Sequence, residues 1–171
     1  MGRARIPGAL ALLALALWLL VHAWVGGGSG GPAAPAAGSS MRAPVVRVVD
    51  GDTILASVNG RDEYIRYIGI DTPETVKPDT PVQCYGPKSS DENHRLVGGQ
   101  TVRLSFDQEL RDDYGRLLAY VYLGRRLVNA ELVRGGYARP LQIAPNTAHA
   151  ALFQRLAATA AKHGRGLWGA C

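Results

Sequence analysis

Cysteine is nearly absent from this chain, with two residues in 171, Cys84 and Cys171. No C-x-x-C pair occurs, which removes the usual cysteine-ligated metal sites. Histidine is almost as scarce, with four residues. His94 stands alone among polar neighbours and reads as a surface residue rather than a ligand or a base. Acid is missing from residues 1–41, whose only charges are Arg3 and Arg5. Residues 26–40 (GGGSGGPAAPAAGSS) lack the large apolar side chains that could form a core, so they read as a flexible tether.

Ahead of that tether, an apolar run over residues 6–25 follows the two arginines and is broken only by Pro7, Gly8 and His22. Val21-His22-Ala23 offers a small-residue cleavage site, so residues 1–25 read as a secretory signal peptide. The run is also nearly long enough to span a bilayer, which leaves an uncleaved signal anchor as the alternative. In both cases the arginines stay cytoplasmic and the rest of the chain is exported. The expected division is 1–25 signal or anchor, 26–41 linker and 42–171 a single folded domain.

Apolar residues make up 47% of the chain, as in a globular protein, and 19 basic residues against 14 acidic ones give a formal charge of +5. Once Arg3 and Arg5 are set aside, an excess of +3 remains, which suits an anionic partner without requiring one. In an exported protein, two cysteines favour a disulfide between Cys84 and Cys171, with two independent thiols as the alternative. Closing so long a loop stabilises by about 4–5 kcal/mol on the chain-entropy account.

Residues 47–75 (RVVDGDTILASVNGRDEYIRYIGIDTPET) organise the chain. Val45, Val46, Val48 and Val49 are β-branched, residues 54–58 are short and mostly apolar, and residues 64–70 are aromatic and β-branched. Asn59-Gly60 between the second and third runs favours a type I′ hairpin turn. The result is an antiparallel meander. Asp50 and Asp52 sit at its first corner, and Asp71 and Glu74 follow its third strand. Each acid has a bland reading as a turn former or helix cap. A meander, however, brings the end of its third strand beside its first turn. Gathered there, Asp50, Asp52 and Asp71 would repel one another unless a cation neutralised them. An oxygen-only donor set favours a hard ion such as Ca²⁺ or Mg²⁺, and the spacing is not that of an EF-hand.

Further along, Pro87 introduces a helix over residues 88–97. It is poorly amphipathic, with Leu96 and Val97 as its main anchors, so a short or weakly packed helix is expected. Residues 101–106 alternate with period two and form a fourth strand, and residues 117–123 form a fifth. A short helix over 128–134 closes at Gly135-Gly136. A last helix over 148–163 carries Leu152, Phe153, Leu156 and Ala160 on one face, and Trp168 packs behind it as an apolar latch.

The segments VVDGDT, YIRYIGIDTPET, CYG, DDYGRLLAYVY, VNAELVRGGYAR and GLW resemble the thermonuclease (staphylococcal nuclease-like) family over residues 45–168. The resemblance implies an α+β fold, a five-stranded OB-type β-barrel with three helices. It implies a calcium-dependent extracellular nuclease, acting as a monomer, that hydrolyses DNA and RNA with little sequence preference and leaves 3′-phosphate ends. It assigns Asp52, Asp71 and the Thr72 carbonyl as Ca²⁺ ligands, with Asp50 supporting them through water. Glu74 corresponds to the residue that positions or deprotonates the attacking water, and Arg66 and Arg116 to the phosphate clamp. Tyr114 packs on a nucleotide or serves as a core or rim tyrosine. Two positions depart from the family: Asp113 stands where a lysine is familiar, and the loop 140–146 (PLQIAPN) has no tyrosine. The competing reading is a non-catalytic OB-type nucleic-acid-binding module at the cell surface, with any membrane contact made only through the N-terminal segment.

Overall fold

A computed structural model describes residues 33–75 and 81–171. The signal or anchor segment, most of the linker and part of the loop after Glu74 lie outside the described residues. The folded unit is Ala34–Cys171, and among the described residues no helix is long and apolar enough to cross a membrane.

Its strands are β1 (Ser40–Val48), β2 (Thr53–Val58), β3 (Arg61–Tyr67), β4 (Ile70–Asp71), β5 (Thr101–Ser105), β6 (Leu117–Leu123), β7 (Arg126–Leu127) and β8 (Arg139–Pro140). The helices are α1 (Gly86–Val97), α2 (Val128–Gly135), α3 (Ala150–Lys162) and a single turn, α4 (Leu167–Ala170). The main sheet runs β3-β2-β1-β5-β6-β7, and a parallel β3–β6 pairing closes the five long strands into a barrel. Closure depends on β1 serving two sheets. Its first half pairs with β5 from Ser40 to Pro44, and its second half pairs with β2 after a bulge between Val45 and Arg47. Such a bulge bends a strand and raises its twist, which lets one strand turn a barrel corner.

The first strand therefore begins earlier than its valines suggest. Ser40 and Met41, expected in the linker, pair with Ser105 and Leu104. The Asn59-Gly60 turn has φ of 52° and 78°, as a type I′ hairpin requires. The third run does not continue to Ile70. It stops at Tyr67, and Gly69, with φ of 80°, turns the chain into β4. A Cβ at Gly69 would lie 2.6 Å from the Phe153 ring, so only glycine fits between the turn and α3.

Ile54, Ile65, Tyr67, Leu104 and Leu117 fill the barrel. Asn129 on α2 is fully buried between two segments. Its Oδ1 accepts from the Val121 amide at 2.9 Å, and its Nδ2 donates to the Ile68 carbonyl at 2.9 Å. This brace fixes the turn that leads out of β3. Helix α1 corrects the expectation of weak packing. Its inner face carries Ser89 and Asn93, both fully buried, beside Leu96 and Val97. Ser89 donates to the Tyr137 carbonyl at 2.6 Å, and Asn93 takes a 2.9 Å bond from the Tyr67 hydroxyl. Buried polar groups that are fully partnered stabilise a face that a hydrophobicity pattern scores as polar. Cys84 and Cys171 form a disulfide with a Cα–Cα distance of 6.0 Å.

Candidate active site

Three loops meet at one mouth of the barrel. The first is the β1–β2 corner. The Asp50 carboxylate accepts from the Asp52 amide at 3.0 Å, a local turn bond, and the Asp50 carbonyl accepts from Asn93 at 2.9 Å. Gly51 is forced: a Cβ there would come within 2.7 Å of the Thr72 side chain. That contact lets Thr72 dock on Asp52. The Asp52 Oδ2 accepts from the Thr72 amide at 2.7 Å and from its hydroxyl at 2.9 Å.

The second loop follows β3. Arg66 lies on the β3–β6 seam opposite Thr53 and Leu118. Its NH1 is 3.1 Å from the Asp52 Oδ1, and its NH2 is 2.8 Å from the Asp71 Oδ1. The same NH1 donates to the Ile70 carbonyl at 2.9 Å. Asp71 is held at its post by β4, which pairs with Arg139 of β8. Arg66 thus ties Asp52 and Asp71 together as a structural ion pair. Glu74 follows in the same loop. Its Oε1 accepts from the Thr75 amide at 2.9 Å.

The third loop precedes β6. Arg116 sits two residues before Leu118, the register partner of Arg66, so both guanidinium groups fall on one side of the seam. The Arg116 Nε donates to the Asp112 Oδ2 at 2.7 Å, and the Asp112 Oδ1 accepts the Tyr114 and Arg116 amides at 3.1 and 3.0 Å. Tyr114 is 86% exposed, so it is no core tyrosine, and its ring centroid lies 5.4 Å from the Arg116 guanidinium. Asp113 is exposed beside it.

Asp50, Asp52, Asp71, Glu74, Arg66 and Arg116 line a single cavity of about 650 Å³, together with Thr72 and Tyr114. Every residue singled out for chemistry is present, although they come from loops up to 66 positions apart, Asp50 to Arg116. A neighbouring cavity of about 440 Å³ shares Arg66, Tyr114 and Arg116 and continues over Leu118, Leu141 and Ile143.

Charge in the larger cavity is unbalanced. Burial pushes the Asp50 carboxyl up to about 6, and the Asp52 charge adds to the rise, against the Asp52 amide and Arg66. Burial and then Asp52 also raise Asp71, against the pull of Arg66. With Arg116 paired to Asp112, Arg66 alone does not neutralise Asp50, Asp52 and Asp71. Oxygen donors short of positive charge fit a hard cation. Among the described residues no three or more His, Cys, Asp or Glu side chains are grouped to hold a metal. The carboxylates that Arg66 draws together are those of Asp52 and Asp71.

Some site residues escape a reading of the sequence. Asp112, which holds Arg116, is overshadowed by Asp113 next to it, though an aspartate two residues before a Tyr-Gly is a turn signal. Asn93 belongs to a helix face that looks solvent-exposed, and four-residue spacing from Ser89 is its only sign.

A small OB-type barrel with an acid and arginine cluster at its mouth defines the class, and the comparisons define the family. The profile described as "Staphylococcal nuclease homologue" matches residues 64–170. The chain is 39% identical to a thermonuclease of Staphylococcus intermedius over 168 residues, covering 96% of this chain and 98% of the relative. It is 44% identical to a thermonuclease of Staphylococcus hyicus over 124 residues, covering 72% and 73%. It is 44% identical to the endonuclease YncB of Bacillus subtilis over 110 residues, covering 63% and 52%. The chain belongs to the staphylococcal nuclease family and is a nuclease hydrolase. That family is generally metal-dependent.

Proposed function

We propose that the protein is an exported, calcium-dependent nuclease that hydrolyses phosphodiester bonds of DNA and RNA with little sequence preference and leaves 3′-phosphate ends. The observation that carries this reading is the single cavity lined by Asp50, Asp52, Asp71, Glu74, Arg66 and Arg116. Export is supported by the apolar N-terminal run behind two arginines and by a disulfide, a bond of oxidising compartments.

A phosphodiester repels an attacking hydroxide, and its five-coordinate transition state gathers further negative charge. Arg66 and Arg116 face that charge from one side of the seam, and the planar fork of arginine matches two phosphate oxygens. Stabilisation of this kind, by fixed charges in a partly water-excluded cavity, is a large share of catalysis. Glu74 orients the attacking water and takes its proton, which is worth about 10²–10⁴-fold. Asp52, Asp71 and the Thr72 carbonyl would hold Ca²⁺, with Asp50 supporting the site beside them. The chemistry such an ion would supply when bound is Lewis-acid neutralisation of the phosphate. The 440 Å³ cavity beyond Tyr114 has the aliphatic walls and the aromatic rim that suit a base. Contacts to backbone phosphate rather than to base edges give low sequence preference and salt-sensitive binding.

The test is cleavage of labelled single- and double-stranded DNA and of RNA, with calcium or with chelator, beside Glu74→Gln and Arg116→Ala. End-group analysis then identifies where phosphate remains. Metal-dependent cleavage that both substitutions cripple is the expected result. Binding without metal-dependent cleavage would move the assignment to a nucleic-acid-binding module.

A further inference from the structure

We propose that Gln83 is a positioning residue for Glu74, and that the Cys84–Cys171 disulfide anchors it, so that reducing this bond lowers turnover while the barrel stays folded. The proposal rests on the reading of Glu74 given above.

Glu74 lies in an irregular segment, with no strand or helix to hold its backbone. Gln83 does that instead, from both sides. The Glu74 amide donates to the Gln83 Oε1 at 3.0 Å, and the Gln83 amide donates to the Glu74 carbonyl at 2.9 Å. The next layer is equally tight. The Gln83 carbonyl accepts from the Gly86 amide at 3.0 Å. A Cβ at Gly86 would lie 2.8 Å from the Thr75 side chain and 2.9 Å from the Glu74 carbonyl. Because the Glu74 carboxylate itself leans on the Thr75 amide, a shift of this backbone carries the carboxylate with it. Misplacing a catalytic group by about 1 Å costs on the order of 10²-fold in rate.

What keeps Gln83 in place is its neighbour. Cys84 is bonded to Cys171 at the far end of the chain. Cys171 ends α4, whose Leu167 is buried and donates through its amide to the Gly136 carbonyl at 2.8 Å. The bond thus ties the Gln83 segment to the helical core. Both cysteines are exposed, within reach of a soluble dithiol. Reduction is balanced as follows: a dithiol gives two electrons and two protons, the sulfur–sulfur bond breaks to two thiols, and the dithiol becomes its own disulfide.

The experiment measures kcat and KM on single-stranded DNA in saturating calcium for the wild type, Gln83→Met, Gln83→Glu, Glu74→Gln and the double variant Glu74→Gln/Gln83→Met. The wild type is also measured before and after dithiothreitol, with thiols counted. Gln83→Met keeps the side-chain length and removes the acceptor. It is expected to lower kcat about tenfold with KM within about twofold. Gln83→Glu keeps an acceptor oxygen and is expected to restore kcat to within about threefold. In the Glu74→Gln background, Gln83→Met should cost less than about twofold, because two residues acting through one group are not additive. Reduction should match the Gln83→Met loss. It should also release the Glu74 and Gln83 amides to hydrogen exchange about tenfold faster, while the Tyr67 and Val121 amides stay protected.

Full activity with both thiols counted, or a Gln83→Met loss that persists undiminished in the Glu74→Gln background, would overturn the proposal and leave the nuclease reading intact. Loss of Tyr67 and Val121 protection on reduction would overturn it too, making the bond a staple of the whole fold. A fully active Glu74→Gln would instead remove the catalytic reading of Glu74, and the proposal with it.

Discussion

The two walls of the cavity are built on opposite principles. On one, Asp52, Arg66 and Asp71 are locked together: the Asp52 side chain is 6% exposed and the Arg66 side chain 14%. On the other, Arg116 is 31% exposed, held to Asp112 through its Nε and flanked by the exposed Tyr114. The first wall is part of the barrel seam, because Arg66 pairs in register with both neighbouring strands. The second is a turn laid on the end of β6. A charge built into the seam keeps its geometry whatever binds, and removing it disturbs the fold. A charge on the turn has little part in holding the barrel together. Stability and catalysis should therefore separate cleanly between the two arginines.

The sharpest break is to remove each arginine in turn. Either Arg66→Ala or Arg116→Ala is expected to lower kcat by about 10²–10³-fold, the usual loss for one transition-state donor. Only Arg66→Ala should also destabilise, by about 3–5 kcal/mol, because it strands a buried carboxylate at Asp52. Arg116→Ala breaks a partly exposed pair and should cost less than about 1 kcal/mol. Denaturant melts beside single-turnover rates check both halves. Equal stability losses for the two variants would erase the distinction.

The next effect comes from the cation. A ligand that binds only the folded state at a hundredfold its dissociation constant stabilises by about 2.7 kcal/mol. Saturating calcium should raise the melting temperature of the wild type accordingly, and chelator should reverse it. Arg116→Ala should keep the shift, whereas Asp52→Asn should abolish it.

A comparable effect is expected from Asp50 in chelator. Its carboxyl rises from 3.8 to about 6 on folding. Between those values the folded state binds more protons than the unfolded one, so stability falls as pH rises through this window. Above it the ionised, crowded carboxylate costs up to about 3 kcal/mol. Asp50→Asn keeps the oxygen that accepts from the Asp52 amide and removes the charge. It should therefore stabilise the metal-free protein at pH 7 and leave it unchanged at pH 3, as melts at the two pH values will show.

This contrast also marks what can be read from the chain. The hairpin was legible at Asn59-Gly60, and the fourth strand in the alternation of Val102, Leu104 and Phe106, because both signals are local. The acids and arginines were legible as a set, since each motif fills a family position. Three features were not. The inner face of α1 was hidden because Ser89 and Asn93 are buried by hydrogen bonding, which a hydrophobic pattern does not score. The β4–β8 pair, which holds Asp71, is two residues long and joins segments some 70 positions apart. The grip of Asp112 on Arg116, and of Gln83 on Glu74, depends on side-chain direction that spacing alone does not supply.

The smallest expected effect lies on the turn wall and sharpens the comparison most. Asp113 is exposed next to Tyr114 and Arg116 and lines the 440 Å³ cavity. A carboxylate there opposes an approaching phosphate, and Asp112, already spent on Arg116, adds to it. Asp113→Lys reverses one of these charges without touching the seam. Binding of single-stranded DNA should tighten a few-fold at low salt, with kcat unchanged. Each added phosphate contact should steepen the salt dependence of binding by about 0.7 for a single strand. A melting temperature that moves with the substitution would show that the turn is coupled to the barrel after all. An unchanged salt slope would place the nucleic-acid backbone away from this wall, nearer Arg66.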